Sequence, residues 1–199
     1  MSNLFIAVIG APRTGTSLVC DLVKKCGFNF GEDAYYTEVI RAGRNEHPLT
    51  RSLTDVTEAY SSYVVNVFKE QGINASKFHT IKMGDWLEVF DKYYNLKVVI
   101  IRRNRDNSVK SVIGISPDFD LDYYKEVTNM SNGIIKEDND YDKFVLQFED
   151  LLLKEEEPLI GLKTFLNSDV SIEELKNIIK PEEVLHNDRI SRTYTDLET

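Results

Sequence analysis

The opening of the chain constrains its fold more than any other stretch. Six apolar residues, "LFIAVI" at 4–9, run into the turn "GAPRTGTS" at 10–17, and "TSLVCDLVKKCG" follows at once. A short apolar run bounded by glycine has the pattern of a buried strand. Leu18, Val19, Leu22 and Val23 then share one face of a helix, which Gly27 ends. Strand, glycine turn and helix in this order form the first unit of an α/β sheet, with the free N–H groups of a helix start beside a strand end.

The same alternation continues. Residues 28–49 are irregular or weakly helical, and 55–72 reads as a helix with Thr54 as cap and Gly72 as stop. "FHTIKM" (78–83) alternates as a strand, and "DWLEVFDKYY" (85–94) is an amphipathic helix. "KVVIIR" (97–102) has four branched aliphatics in a row, the mark of a strand covered on both faces. A helix over 105–114, a strand over 143–148 and two acid-rich helices near 150–166 and 171–180 complete the pattern. There is no internal repeat and no low-complexity linker. The expectation is one domain over 1–199, a three-layer α/β fold with a mostly parallel sheet and helices on both faces. Ligands in such sheets bind at the carboxyl ends of the strands, and "GAPRTGTS" and "RRNRDNSVKS" lie there.

Composition narrows the partners. The net charge is −9, yet residues 117–160 hold 13 acids and 4 bases, while 1–116 hold 15 bases and 12 acids. The half with the glycine turn can therefore attract an anion, and the acidic stretch reads as a solvated surface. No basic face suggests nucleic acid. No apolar run reaches the roughly 20 residues that span a bilayer, and the first apolar run lacks a basic flank, so a strand and not a leader is expected there. These features point to a cytoplasmic chain without a membrane partner. Cys20 and Cys26, with no CxxC spacing, read as small buried residues. Asp138, Asp140, Asp142 and Glu149 imitate a calcium loop, but Lys143 stands where its turn needs glycine, so no metal is expected. His47, His79 and His186 form no recognisable spacing.

Two segments carry chemistry. Gly10 and Gly15 bracket four residues, as in a phosphate-binding loop, but Thr16 stands where a nucleotide kinase has lysine, and Arg13 lies inside the turn. Thr14, Thr16 and Ser17 add hydroxyl donors, and Arg13 adds a fork of N–H groups. Farther on, Arg103 ends a buried strand, and Ser111 follows eight residues later, about two helical turns on. Together they describe a ligand with two separate anionic groups.

These segments resemble the sulfotransferases that use 3′-phosphoadenosine-5′-phosphosulfate (PAPS). The family's 5′-phosphosulfate loop, P-(K/R)-S-G-T-T, is similar to Pro12-Arg13-Thr14-Gly15-Thr16-Ser17, and its 3′-phosphate motif, R-N-P-x-D-x-x-x-S, to the run from Arg103 to Ser111. Its "YEDL" resembles Phe148-Glu149-Asp150-Leu151. The resemblance implies that Arg13 and the loop N–H groups bind the 5′-phosphosulfate, that Arg103 and Ser111 bind the 3′-phosphate, and that no metal is needed. Arg13 would stabilise charge on the bridging oxygen as the S–O bond breaks.

The resemblance also has departures. Arg105 replaces the motif's proline, and a glycine- and lysine-rich C-terminal segment is missing, for which Arg189 or Arg192 could substitute. In the cytosolic branch a histidine follows a lysine by two, whereas Lys82 is followed by Gly84. Other branches use a glutamate some 20 residues after the loop, which points to Glu38 or Glu32 as base; Glu38 is preferred because a helix carrying it brings Arg41 toward the anions. Lys82, on a strand facing the cleft, would help neutralise the transferred group. The expected acceptor is a hydroxyl or amine of a small molecule or carbohydrate, bound by loops near 30–50 and 115–140, with tyrosines of "AYY" (34–36) as candidate lining. Two other readings stay open: a Mg²⁺-dependent P-loop phosphotransferase or nucleotide kinase, and a nucleotide-binding module without catalysis.

Overall fold

Strand β1 (Leu4–Ile9) is buried on both faces, and its alternation divides the core in two. The structure, a computed structural model, describes residues 3–31, 47–51, 55–78, 80–115, 118, 120–136 and 141–181. Strands β2 (Ala75–Phe78), β3 (Asn95–Arg102) and β4 (Asp142–Gln147) join β1 in one parallel sheet of order β2-β1-β3-β4. Phe5, Ala7, Ile9, Val98 and Ile100 face one helical layer, whereas Ile6, Val8, Val99 and Ile101 face the other. This is the three-layer α/β arrangement the sequence pattern predicts.

The first layer contains α3 (Glu58–Glu70), α4 (Met83–Tyr93), α5 (Arg105–Ile115) and α6 (Leu121–Lys136), which contribute Phe68, Phe90, Val112 and Val127 to the core. Its centre is aromatic. Phe90 stacks on Phe5 with ring centroids 4.2 Å apart and touches Phe68, Phe78, Trp86 and Tyr94. The second layer holds α1 (Thr16–Lys25), α7 (Phe148–Leu152), α8 (Glu156–Phe165) and α9 (Ile172–Lys176), with Leu22, Leu151, Leu162 and Leu175 turned inward. A single turn, α2 (Pro48–Arg51), lies between α1 and α3 in the chain. No described helix is long and apolar enough to cross a membrane.

Several element boundaries differ from the sequence pattern. Helix α3 is capped by Thr57, whose Oγ1 accepts from Tyr60 N at 3.3 Å, while Thr54 lies outside the described residues. The expected strand at 78–83 is replaced by Ala75–Phe78, and Met83 already begins α4. Polar Ser76 and Lys77 mask that strand in the sequence, yet both are buried in it. The acid-rich segment read as acceptor loop at 115–140 contains α6, whose Tyr124, Val127 and Ile134 reach the core at helical spacing. The region 150–166 breaks at Lys154, which adopts a left-handed φ of 56° between α7 and α8.

Helix α9 starts with a capping box. Ser171 Oγ accepts from Glu174 N at 3.2 Å, and Glu174 Oε2 accepts from Ser171 N at 3.2 Å. Glu174 also meets Lys25 of α1 at 2.9 Å, and Lys25 and the cap together hold its carboxyl down at about 2, against an ordinary 4.5.

Two outcomes follow for stability. Phe90→Ala empties the aromatic centre and is expected to cost about 3–5 kcal/mol, read as a lowered denaturant midpoint with unchanged slope. Because Glu174 is depressed in the fold, its contribution is complete above pH 4.5 and is lost as pH falls toward about 2. The stability difference between wild type and Glu174→Gln should therefore shrink across that window and vanish below it, measured by urea unfolding against pH.

Candidate functional site

After β1 the chain turns to β2 on one side and later to β3 on the other, and the carboxyl ends of such neighbouring strands are where open α/β sheets bind ligands. Ile9 pairs with Ile100 in register, which brings the turn at 10–15 beside the strand end at Arg102 and Arg103. Both motif segments thus leave the sheet on the same edge.

The turn is tightly built. Thr14 N and Oγ1 both donate to Ala11 O, at 3.3 and 2.7 Å. A Cβ on Gly10 would sit 2.7 Å from Thr14 Oγ1 and 2.9 Å from Ile101 O, so glycine is what lets the turn lie against β3. Gly15 caps α1 at φ 98°, where an added Cβ would lie 2.2 Å from the Phe148 ring. Arg13 itself is left-handed at φ 66°. For a residue with a side chain this costs about 1–2 kcal/mol, and such strain persists where surrounding contacts impose it, often at functional sites. Among the described residues, α1 has no side-chain cap and no acid in its first turn. Its N–H groups and dipole therefore favour an anion.

Two guanidiniums converge on this turn. Arg13 Nε donates to Ser111 Oγ at 3.2 Å, across 98 residues of sequence, and Arg103 Nη1 donates to Arg13 O at 3.1 Å. The Arg103 guanidinium also lies over the Phe148 ring at 4.8 Å. Burial, and secondly the charge of Arg103, lower the pKa of Arg13, although a guanidinium stays charged at any physiological pH. Two desolvated cations side by side raise each other's energy, and an anion between them would lower it. Ser111 is buried on α5, and Asn104 starts that helix by accepting from Asp106 N and Asn107 N with its Oδ1. This side-chain cap takes the place of the proline that Arg105 displaces.

A third cation comes from β2. Lys77 pairs in register with Val8, is only 4% exposed, and its Nζ donates to Ser17 Oγ at 3.4 Å. The sequence reading assigned this cleft role to Lys82. The structure corrects that placement: Lys82 is the N-cap of α4, not a strand residue, and its ammonium pairs with Asp55 at 3.2 Å and Asp85 at 3.5 Å. The hydrogen bond with Asp55 raises its pKa. The strand lies three residues earlier than the sequence pattern places it, which moves Lys82 off the strand and Lys77 onto it. The signal that would have found Lys77 is the Lys-x-His spacing itself, which is met at Lys77 and His79.

The structure therefore brings Arg13, Gly15, Thr16, Ser17, Arg103 and Ser111 together, and Pro12 lies in the turn. Thr14 spends its hydroxyl proton on Ala11 O, so it shapes the turn rather than offering a donor. Glu32, Glu38, Arg41, His79, Arg189, Arg192 and the tyrosines at 35 and 36 lie outside the described residues. His47 packs edge-on against Phe68, and burial lowers its pKa. Two guanidiniums, an ammonium, hydroxyls and a helix start make a donor set suited to a polyanion.

No family model and no curated protein matches the sequence. Among solved structures, the chain is similar to the sulfotransferase domain of the olefin synthase from Synechococcus PCC 7002, with a TM-score of 0.57 and 16% identity over 90% of this chain and 78% of that one. A sugar kinase from Janibacter sp. HTCC2649, in its unliganded form, aligns with a TM-score of 0.48 and 10% identity, covering 89% and 98%. At such identities the likeness to the sulfotransferase domain is one of fold.

Gly15→Ala tests the turn. It adds a left-handed Cβ and a collision with the Phe148 ring. The expected loss is at least about 1–2 kcal/mol of stability, measured by chemical denaturation beside Gly72→Ala, which shares a left-handed φ of 64° but whose added Cβ meets nothing within 4 Å, so that the excess loss at Gly15 reads the collision with Phe148.

Proposed function

We propose that this chain is a sulfotransferase that takes a sulfuryl group from PAPS and passes it to a hydroxyl, or less readily an amine, of a small molecule or carbohydrate. The observation that carries the reading is the meeting of Arg13, Ser111 and Arg103, through bonds of 3.2 and 3.1 Å, at the end of adjacent parallel strands. Two anion-binding segments so close together suit one nucleotide bearing charge at both its 5′ and 3′ positions. The absence of a lysine at Thr16 favours this ligand over a nucleoside triphosphate.

In this reading the start of α1, Arg13, Ser17 and Lys77 hold the 5′-phosphosulfate, and Arg103 and Ser111 hold the 3′-phosphate. PAPS supplies an activated sulfuryl group whose leaving oxygen gains negative charge. In this reading Arg13 and Lys77 would supply fixed positive charge to that oxygen without reorganisation. The acceptor's proton must go to a base within hydrogen-bond reach, and the candidates are Glu38, Glu32 and, from its spacing to Lys77, His79.

Calorimetry with 3′-phosphoadenosine-5′-phosphate is the first test, and binding should be equal with and without Mg²⁺. Loss of hydrogen bonds to a charged group predicts that Arg103→Ala weakens it about 10–100-fold, and Ser111→Ala about 3–10-fold. Labelled PAPS and a library of hydroxyl acceptors then test transfer. Abolition in one of Glu38→Gln, Glu32→Gln or His79→Gln names the base. Binding that requires Mg²⁺ would instead make the chain a phosphotransferase, and binding without transfer to any acceptor would make it a non-catalytic module.

A further inference from the structure

Phe148 and Glu149 open α7 directly after β4, outside both anion-binding segments, yet they touch each of them. We infer that this pair is a positioning element that sets the Arg103–Ser111 segment against the turn; the inference rests on the nucleotide reading above. Glu149 Oε1 accepts from Asn104 N at 3.0 Å. Asn104 is the hinge of that segment. Its side chain caps α5, its carbonyl accepts from Ser108 N at 3.0 Å and Ser108 Oγ at 3.1 Å, and the Arg103 guanidinium leaves the chain one residue earlier. A single carboxylate thus fixes the residue from which both proposed 3′-phosphate ligands are aimed.

Phe148 completes the clamp. It is 5% exposed, and its ring lies under the Arg103 guanidinium on one side and fills the space that a Gly15 side chain would need on the other. The ring therefore limits where the guanidinium plane can lie while it bonds to Arg13 O. Charge does not explain Glu149. A carboxylate beside a phosphate site opposes the ligand, so its value there is as an acceptor for a backbone N–H that precedes the helix and has no helical partner. This assigns a sign to each substitution. Glutamine keeps an acceptor and removes the opposing charge; alanine removes both; aspartate withdraws the oxygens by one methylene.

The test compares two probes by calorimetry on the full chain: 3′-phosphoadenosine-5′-phosphate, and adenosine-5′-phosphosulfate, which lacks the 3′-phosphate. Glu149→Ala and Glu149→Asp should weaken the first about ten-fold and the second less than about two-fold, as expected for one misaligned charged contact. Glu149→Gln should bind the first at least as tightly as wild type. If Glu149→Ala does not melt cooperatively, Glu149→Asp carries the comparison. Equal weakening of both probes, no weakening of either, or a Glu149→Gln variant as weak as Glu149→Ala would overturn the positioning role while leaving the nucleotide reading intact. A wild-type chain that binds neither probe would overturn both.

Discussion

The hydrogen bond from the Arg103 guanidinium to the Arg13 carbonyl joins two parts of the chain that the sequence separates by 90 residues. It depends on the parallel pairing of β1 with β3, since only strands running the same way deliver both of their following loops to one edge. It also explains a strained backbone. Arg13 adopts φ 66° because its carbonyl turns toward Arg103 while its own side chain turns to Ser111. Two opposed demands on one residue are thus met at the end of the sheet.

The two central strands, β1 and β3, support that edge with apolar residues on both faces. One lysine is nevertheless buried inside the sheet, and Lys77 shows how this is managed. Its stem lies in the layer with Val8 and Ala75, while its ammonium extends to the first turn of α1. Burying an ammonium costs free energy unless hydrogen bonds and countercharge offset it. At Lys77 the hydroxyl of Ser17 provides one such hydrogen bond.

Much of this was legible before any fold was known, for reasons particular to each residue. Gly10 and Gly15 mark the turn by their spacing and, at Gly15, by a left-handed φ, although the atoms that would meet a Cβ there belong largely to the distant Ile101 and Phe148. "KVVIIR" declares a doubly covered strand because four branched aliphatics have no other stable use. Lys77 was not legible, because a lysine inside a four-residue strand breaks the apolar pattern by which strands are found, and the neighbouring alternation at 78–83 offered a better imitation. Helix α6 was hidden in the same way, its inward residues diluted by the acids of an exposed face. The role of Phe148 against Gly15 was also out of reach, since nothing in a strand-to-helix junction says which distant glycine it will meet.

What the sequence determined by itself is the set of local commitments: a strand–turn–helix opening, an arginine in place of a kinase lysine, and an arginine and a serine eight residues apart at a strand end. These follow from sterics and periodicity within a few residues. Only the tertiary structure decided that the two segments meet at one end of the sheet, that Lys77 reaches Ser17 while Lys82 pairs with Asp55 and Asp85, and that Glu149 holds Asn104. Strand order and register set such contacts, and they come from the packing of the whole sheet, in which no short stretch specifies its neighbour.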